Sequence, residues 1–205
     1  QRVMFTHPEA RASFENRQHA PQALLFANLG AVQLNYGFGL EECRKAVEAV
    51  GADALYFHIN PLQEAVQPEG DTNFSSLAAK IGDIAGRLEQ PLICKEVGAG
   101  ISPADADLLM QHGIRYIDVA GSGGTSWSRI ENARHPEARQ DNLGVLFQDW
   151  GNPTPLLLRE MQPFLPNLTL VASGGVRSGL DMIKAVILGA KLCGLAKPFL
   201  KPAIE

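Results

Sequence analysis

Thr169-Leu170-Val171-Ala172-Ser173-Gly174-Gly175-Val176-Arg177-Ser178-Gly179-Leu180-Asp181 decides the fold. Its first four residues read as a short buried strand, two glycines turn the chain, and Ser178 with Asp181 forms the box that opens a helix. This is one βα unit, and the beat recurs along the chain. Strand-like runs lie at Leu24 to Ala27, Ala54 to Ile59, Pro91 to Val97, Arg115 to Val119, Thr169 to Ala172 and Leu192 to Ala196, most of them followed by glycine. Their first residues are separated by 30, 37, 24, 54 and 23 positions, so the long interval should hide one more strand, at Val145 to Phe147 or at Asp149 to Gly151.

Helices between the runs carry their own punctuation. Ser102-Pro103-Ala104-Asp105 reads as cap, first-turn proline and box, Thr154-Pro155 repeats the cap-and-proline device, and Gly51, Gly113 and Gly189 fall where helices of this rhythm should end. Evenly spaced βα beats with near-continuous apolar strands predict an α/β fold with a parallel sheet covered by helices, a (β/α)8 TIM barrel rather than a doubly wound sheet. Such a barrel takes about 250 residues. The 205 residues form one domain that looks one strand/helix unit short at the start and lacks the last helix, which agrees with flanks missing on both sides of a chain that begins at Gln1.

Composition narrows the function classes. The chain has 18 Lys and Arg against 22 Asp and Glu, a net charge of -4, so no global field draws a polyanion and nucleic acid is an unexpected partner. Apolar stretches fall far short of the roughly 18–20 residues of a membrane span, so a soluble protein is expected. Gln1 to Phe5 shows no targeting segment. Cys43, Cys94 and Cys193 are odd in number and far apart, which suggests neither disulfides nor a zinc knuckle and fits a reducing cytoplasm.

In a barrel, chemistry sits where strands end and the following loops begin. His58 and Asn60 share one face at such an end, and Gln63 and Glu64 follow on the loop, so four polar groups converge on one mouth. The plainer reading makes His58 a satisfied core histidine and Gln63-Glu64 a helix start. Lys95 ends the next run and needs a partner there, either Glu96 or a neighbouring strand's carboxylate in a structural salt bridge, or an electron-rich ligand in the mouth. Gly121-Ser122-Gly123-Gly124-Thr125-Ser126 follows Asp118, and Ser173 to Gly179 follows the strand after the long interval; the second loop opens a helix and carries Arg177, which makes it a candidate phosphate cradle.

These residues resemble one family closely: the type 2 isopentenyl-diphosphate isomerases, flavin-dependent (β/α)8 barrels. The resemblance covers essentially the whole chain. It rests on Ala27-Asn28-Leu29-Gly30-Ala31, His58-Ile59-Asn60-Pro61-Leu62-Gln63-Glu64, Lys95-Glu96-Val97-Gly98 with Gly100-Ile101-Ser102, Asp118 to Trp127, and Ser173 to Gly179. Ser-Gly-Gly-x-Arg recurs across many FMN barrels; His-x-Asn-x-x-Gln-Glu with Gly-Gly-Thr-Ser-Trp is far more particular. The family interconverts isopentenyl and dimethylallyl diphosphate using reduced FMN and Mg2+, with NADPH serving only to reduce the flavin.

Carried over by motif, the resemblance implies that Gln63 is the catalytic residue, binding substrate and relaying a proton, and that Glu64 binds Mg2+. His58, Asn60 and, if it belongs to the family's Ser-x-Arg segment, Arg2 would bind the diphosphate. Asn28, Lys95, Ala120, Thr125, Gly174, Gly175, Val176, Arg177, Ala196 and Lys197 would bind FMN. The family's first strand, its Met-Thr-Gly-Gly-like loop and its N-terminal Arg-Lys and His ligands have no counterpart here. The family forms homo-oligomers, tetramers or octamers, and Phe199 and Leu200 could serve an interface or pack beneath a further helix. A 2-hydroxy-acid oxidase would share the phosphate loop but needs an active-site His and paired Arg near the late strands, where His112 and His135 are poorly placed. A catalytically dead flavin-binding relative is the non-enzyme alternative, against which the Gln63-Glu64 pair speaks.

Overall fold

The computed structural model describes residues 1–134 and 142–204. The chain runs α1 (Val3–Thr6), β1 (Phe26–Gly30), α2 (Leu40–Val50), β2 (Ala54–His58), α3 (Pro61–Val66), α4 (Leu77–Arg87), β3 (Leu92–Lys95), α5 (Pro103–Gln111), β4 (Tyr116–Asp118), α6 (Trp127–Arg134), α7 (Leu143–Leu146), α8 (Thr154–Glu160), β5 (Thr169–Ala172), α9 (Gly179–Ile187), β6 (Ala190–Cys193) and α10 (Lys197–Ile204). Among the described residues six strands form one all-parallel sheet in the order of the sequence. Sequential parallel order with a helix on each crossover is the architecture of a (β/α)8 barrel. Among the described residues β1 and β6 are the two edges of this sheet.

The strands alternate as the pleat requires. Ala27, Leu29, Leu55, Phe57, Cys94, Ile117 and Leu170 are at most 1% exposed and form one hydrophobic cluster with Cys43, Ala46, Ile81, Ala106 and Leu157 of the helices and with Met161 just after α8. The core therefore lies between sheet and helical layer. The opposite face carries Asn28, Tyr56, His58, Lys95 and Asp118, and these polar positions line up across neighbouring strands.

Several sequence expectations shift. β1 starts two residues later than the run at Leu24, which is 68% exposed, and β6 starts two residues earlier because Lys191 is an exposed strand residue. Among the described residues neither expected place holds the hidden strand: Leu143–Leu146 is helical, Leu146 is 71% exposed, residues 147–149 form a turn, and β4 pairs directly with β5. What occupies that place is the short segment Gly151-Asn152-Pro153. Asn152 N donates to Ala99 O at 2.8 Å, Ser122 N donates to Asn152 O at 2.9 Å, and Ser122 and Pro153 form a single parallel bridge. The last strand is followed by the eight-residue helix α10, Lys197–Ile204.

The boxes at Ser102 and Ser178 are formed, each hydroxyl accepting from the backbone N–H of Asp105 or Asp181. Thr154 is no cap. Its hydroxyl donates instead to Ser173 O and Gly174 O, both at 2.8 Å, which ties α8 to the loop after β5. Gly51, Gly113 and Gly189 adopt positive φ at helix ends as predicted. The three cysteines are free, and among the described residues no helix is long and apolar enough to cross a membrane.

Candidate active site at the strand ends

The last inward-facing row of the sheet reads Gly30, His58, Lys95, Asp118 across β1 to β4. Gly30 leaves the imidazole its room: a Cβ there would stand 3.2 Å from His58 Nε2, closer than side chains ordinarily pack. His58 Nδ1 lies 2.7 Å from Asn28 Oδ1, which makes Nδ1 the protonated nitrogen and leaves Nε2 as an acceptor. Burial, then the neighbouring Lys95 charge, hold the imidazole down to about 4, so it is neutral.

Lys95 makes no ion pair within 4 Å among the described residues. Its ammonium donates to the Glu96 main-chain oxygen at 2.7 Å, and burial lowers its pKa while Asp118 and Glu96 pull it back up. The salt bridge to Glu96 that the sequence left open is not formed, because the Glu96 carboxylate turns the other way. One of its oxygens accepts from four successive amides, Val97 at 2.6 Å, Gly98 at 2.6 Å, Ala99 at 2.5 Å and Gly100 at 3.0 Å. Asp118, 3% exposed, is held by Ser173 Oγ at 2.7 Å, Ala120 N at 3.2 Å and Tyr56 OH at 3.4 Å. Burial raises its pKa, and the Ser173 bond and Lys95 oppose the rise.

At the end of β2, Asn60 precedes the first turn of α3, Pro61 takes the first helical position, and Gln63 and Glu64 therefore stand on the side of the turn that faces Asn60. Asn60 Nδ2 donates to Gln63 Oε1 at 3.1 Å and to Glu64 Oε1 at 2.9 Å. Gln63 Nε2 donates to Glu131 Oε1 at 2.8 Å, and Arg134 holds Glu131 at 3.1 Å. The amide of Gln63 is thus fixed at both ends. Glu64 Oε2 accepts from Asp71 N at 2.7 Å, and Asp71 Oδ2 accepts from Gln33 Nε2 at 2.7 Å and Arg2 at 3.0 Å. Arg2 is exposed and reaches Glu64 only through Asp71. Asn60 Oδ1 is buried with no partner among the described residues, an oxygen that a hard cation or its water shell would satisfy.

The two glycine-rich loops pack face to face. A Cβ on Gly174 would stand 2.0 Å from Gly121 O, and one on Gly175 2.6 Å from Gly123 O; both residues have positive φ, 92° and 83°. Among the described residues the amides of Gly174 and Gly175 donate to no acceptor, so the loop can receive a phosphate. Val176 is buried beneath it, and Arg177 reaches back to Gly123 O at 3.1 Å with its remaining donors exposed. Ala120 enters the first loop at φ 40°, and Thr125 lines a polar cavity of about 440 Å³ together with Gln63, Gly98 and Ser126. Gly194, after β6, packs on Ser173, while Ala196 and Lys197 lie exposed at the start of α10.

A larger apolar cavity of about 1210 Å³ lies outside this cluster, between α4, α5 and Trp150. His112 lines it at the end of α5, away from the strand ends, and His135 lies outside the described residues. Sequence reasoning missed Glu131, Asp71, Tyr56 and the role of Asp118, each of which has a partner 38 to 68 positions away in the chain.

A model of FMN-dependent dehydrogenases matches residues 63–203. Proteins called isopentenyl-diphosphate delta-isomerase are similar over the whole chain: one of Hydrogenovibrio crunogenus is 53% identical over 204 residues, 100% of this chain and 60% of the relative. Another, of Paracoccus zeaxanthinifaciens, is 57% identical over 99% of this chain and 59% of its own length, and one of Nostoc sp. is 50% identical over 100% and 59%. The chain thus spans about 60% of the length of the curated relatives it matches.

Proposed function

Since the chain belongs to the FMN-dependent dehydrogenase family, we propose that it acts as an isopentenyl-diphosphate delta-isomerase, moving a double bond between isopentenyl and dimethylallyl diphosphate in isoprenoid synthesis. The observation that carries this reading is the Asn60-Gln63-Glu64 cluster closed by Glu131. Double-bond transposition adds a proton at one carbon and removes one at another, with no net redox change. When bound, reduced FMN supplies the acid and base for that exchange, and Mg2+ supplies the charge that screens the diphosphate.

The chain's own residues do the rest. Gln63, an amide without a useful pKa, orients and relays; its two hydrogen bonds hold it in one rotamer between Asn60 and the Glu131 carboxylate. Glu64, with Asn60 Oδ1 beside it, would hold Mg2+. Lys95, with one acceptor and donors to spare, would lie against the flavin ring and favour its anionic reduced form, Asn28 would meet the ring system, and Thr125 would line its cavity. Gly174, Gly175 and Arg177 would take its phosphate, flanked by Ala120, Val176, Ala196 and Lys197.

His58, Asn60 and Arg2 would meet the substrate diphosphate. An arriving anion favours a proton on His58 Nε2, against the burial that keeps the free ring neutral. NADPH is the reductant that keeps the flavin active. Three free cysteines suit a cytoplasmic protein; the assembly would be a homo-oligomer, a tetramer or octamer, and Ile183, Ile187, Phe199 and Leu200 are exposed apolar residues on α9 and α10 that an interface or a further helix would cover.

The test is an anaerobic NMR assay of the full-length protein with isopentenyl diphosphate, FMN, Mg2+ and NADPH in deuterated water. Dimethylallyl methyl signals and deuterium incorporation appearing only with reduced FMN are expected. No product despite bound, reduced FMN would overturn the reading.

A further inference from the structure

One carboxylate oxygen fixes the entrances of both glycine-rich loops. Asp118 Oδ1 accepts the Ser173 hydroxyl at 2.7 Å, where the second loop begins, and the Ala120 amide at 3.2 Å, one residue before the first. The carboxylate cannot drift, because Tyr56 OH holds its other oxygen from β2 and the residue is 3% exposed. Between these anchors the loops touch through glycines that admit no Cβ, and Thr154 clamps the Ser173 and Gly174 carbonyls from the far side. The Gly174 and Gly175 amides lie in peptide planes whose carbonyls Thr154 holds from one side, while Asp118 holds Ser173, the residue from which those planes start, from the other.

We infer that the Asp118–Ser173 hydrogen bond is the strut that aims the loop amides at the cofactor's phosphate, so that Asp118, on β4 and outside the loop, is a positioning residue for phosphate recognition. The inference rests on the reading that this loop takes the FMN phosphate. Ala120 at φ 40° is consistent with it: a non-glycine residue is kept in the left-handed region where its amide meets Asp118.

FMN and riboflavin share the ring system and differ in the phosphate, so the ratio of their affinities isolates what the loop contributes. Both dissociation constants are measured by flavin fluorescence on the full-length protein, with thermal unfolding run alongside to show that each variant is folded. The wild type should prefer FMN strongly. Ser173→Ala removes the strut alone and should weaken FMN binding about tenfold, the equivalent of one hydrogen bond to a charged group, with riboflavin affinity unchanged. Asp118→Asn keeps an acceptor oxygen for Ser173 and Ala120 and should retain most of the preference. A wild type that binds the two flavins equally would sink the phosphate-loop reading itself. A wild type that discriminates, with Ser173→Ala discriminating equally well or losing both flavins alike, would overturn the strut; so would an Asp118→Asn variant that loses the preference while Ser173→Ala keeps it.

Discussion

Replacing Glu96 should destabilise the fold more than any charge-pair inventory suggests. The Glu96 carboxylate makes no ion pair among the described residues, yet one of its oxygens gathers the amides of Val97, Gly98, Ala99 and Gly100. Hydrogen bonds to a charged acceptor contribute roughly 1.5–3 kcal/mol each, so four at the lower end give about 6 kcal/mol gross. The four loop residues are half-buried, and water can replace about half of that once the carboxylate is gone. Glu96→Ala should therefore cost about 3 kcal/mol. Glu96→Gln keeps an acceptor oxygen but not its charge; since charge-assisted bonds are roughly twice as strong as neutral ones, its cost should be about half as large. Urea unfolding followed by circular dichroism measures both, at constant slope. If Glu96→Ala stays within about 0.5 kcal/mol of the wild type, the nest is decorative and the reasoning fails.

Three further outcomes are expected. Gln63→Asn shortens the side chain by one methylene and pulls the amide off Glu131; turnover in the NMR assay should fall by about two orders of magnitude while flavin absorbance shows FMN still bound. Near-normal turnover would refute the relay role. Phe57→Ala empties a position 1% exposed in the cluster between sheet and helices and should cost about 3–5 kcal/mol in urea unfolding. His58 has its folded pKa depressed from 6.5 to about 4, so its contribution is present above pH 6.5 and is lost as pH falls toward 4, because the unfolded chain takes up the proton first. The wild type should therefore lose on the order of 3 kcal/mol over that window relative to His58→Asn, and parallel stability profiles for the two would contradict the shift.

How much of this was legible in the sequence depended on range. β5 and the Ser178 box could be read directly because strand, turn and cap are contiguous, and Asn60, Gln63 and Glu64 could be grouped because one helical turn brings them together. Val145-Leu146-Phe147 misled because a short apolar run does not declare its period; in the structure it is a helical turn with Leu146 in solvent. Thr154 before Pro155 is indistinguishable from a cap until the carbonyls of Ser173 and Gly174 are seen beside it. Glu131 and Gln63 are 68 positions apart, and no local pattern joins them.

Net charge was the least informative quantity at this site, for a physical reason. Four buried carboxylates crowd the strand ends, Glu64, Glu96, Asp118 and Glu131, in a chain already at -4. Each is answered locally: Glu96 by four amides, Asp118 by a serine, a tyrosine and an amide, Glu131 by Arg134 and Gln63, Glu64 by Asn60 and the Asp71 amide. These short-range donors cancel negative charge where it stands, and the field a ligand meets is set by what is left over. Left over are the Lys95 ammonium, the Gly174 and Gly175 amides and the outer donors of Arg177, all of them positive. An acidic protein can thus leave positive groups at its strand ends, with Asp118 anchoring Ser173 where the Gly174-Gly175 loop begins.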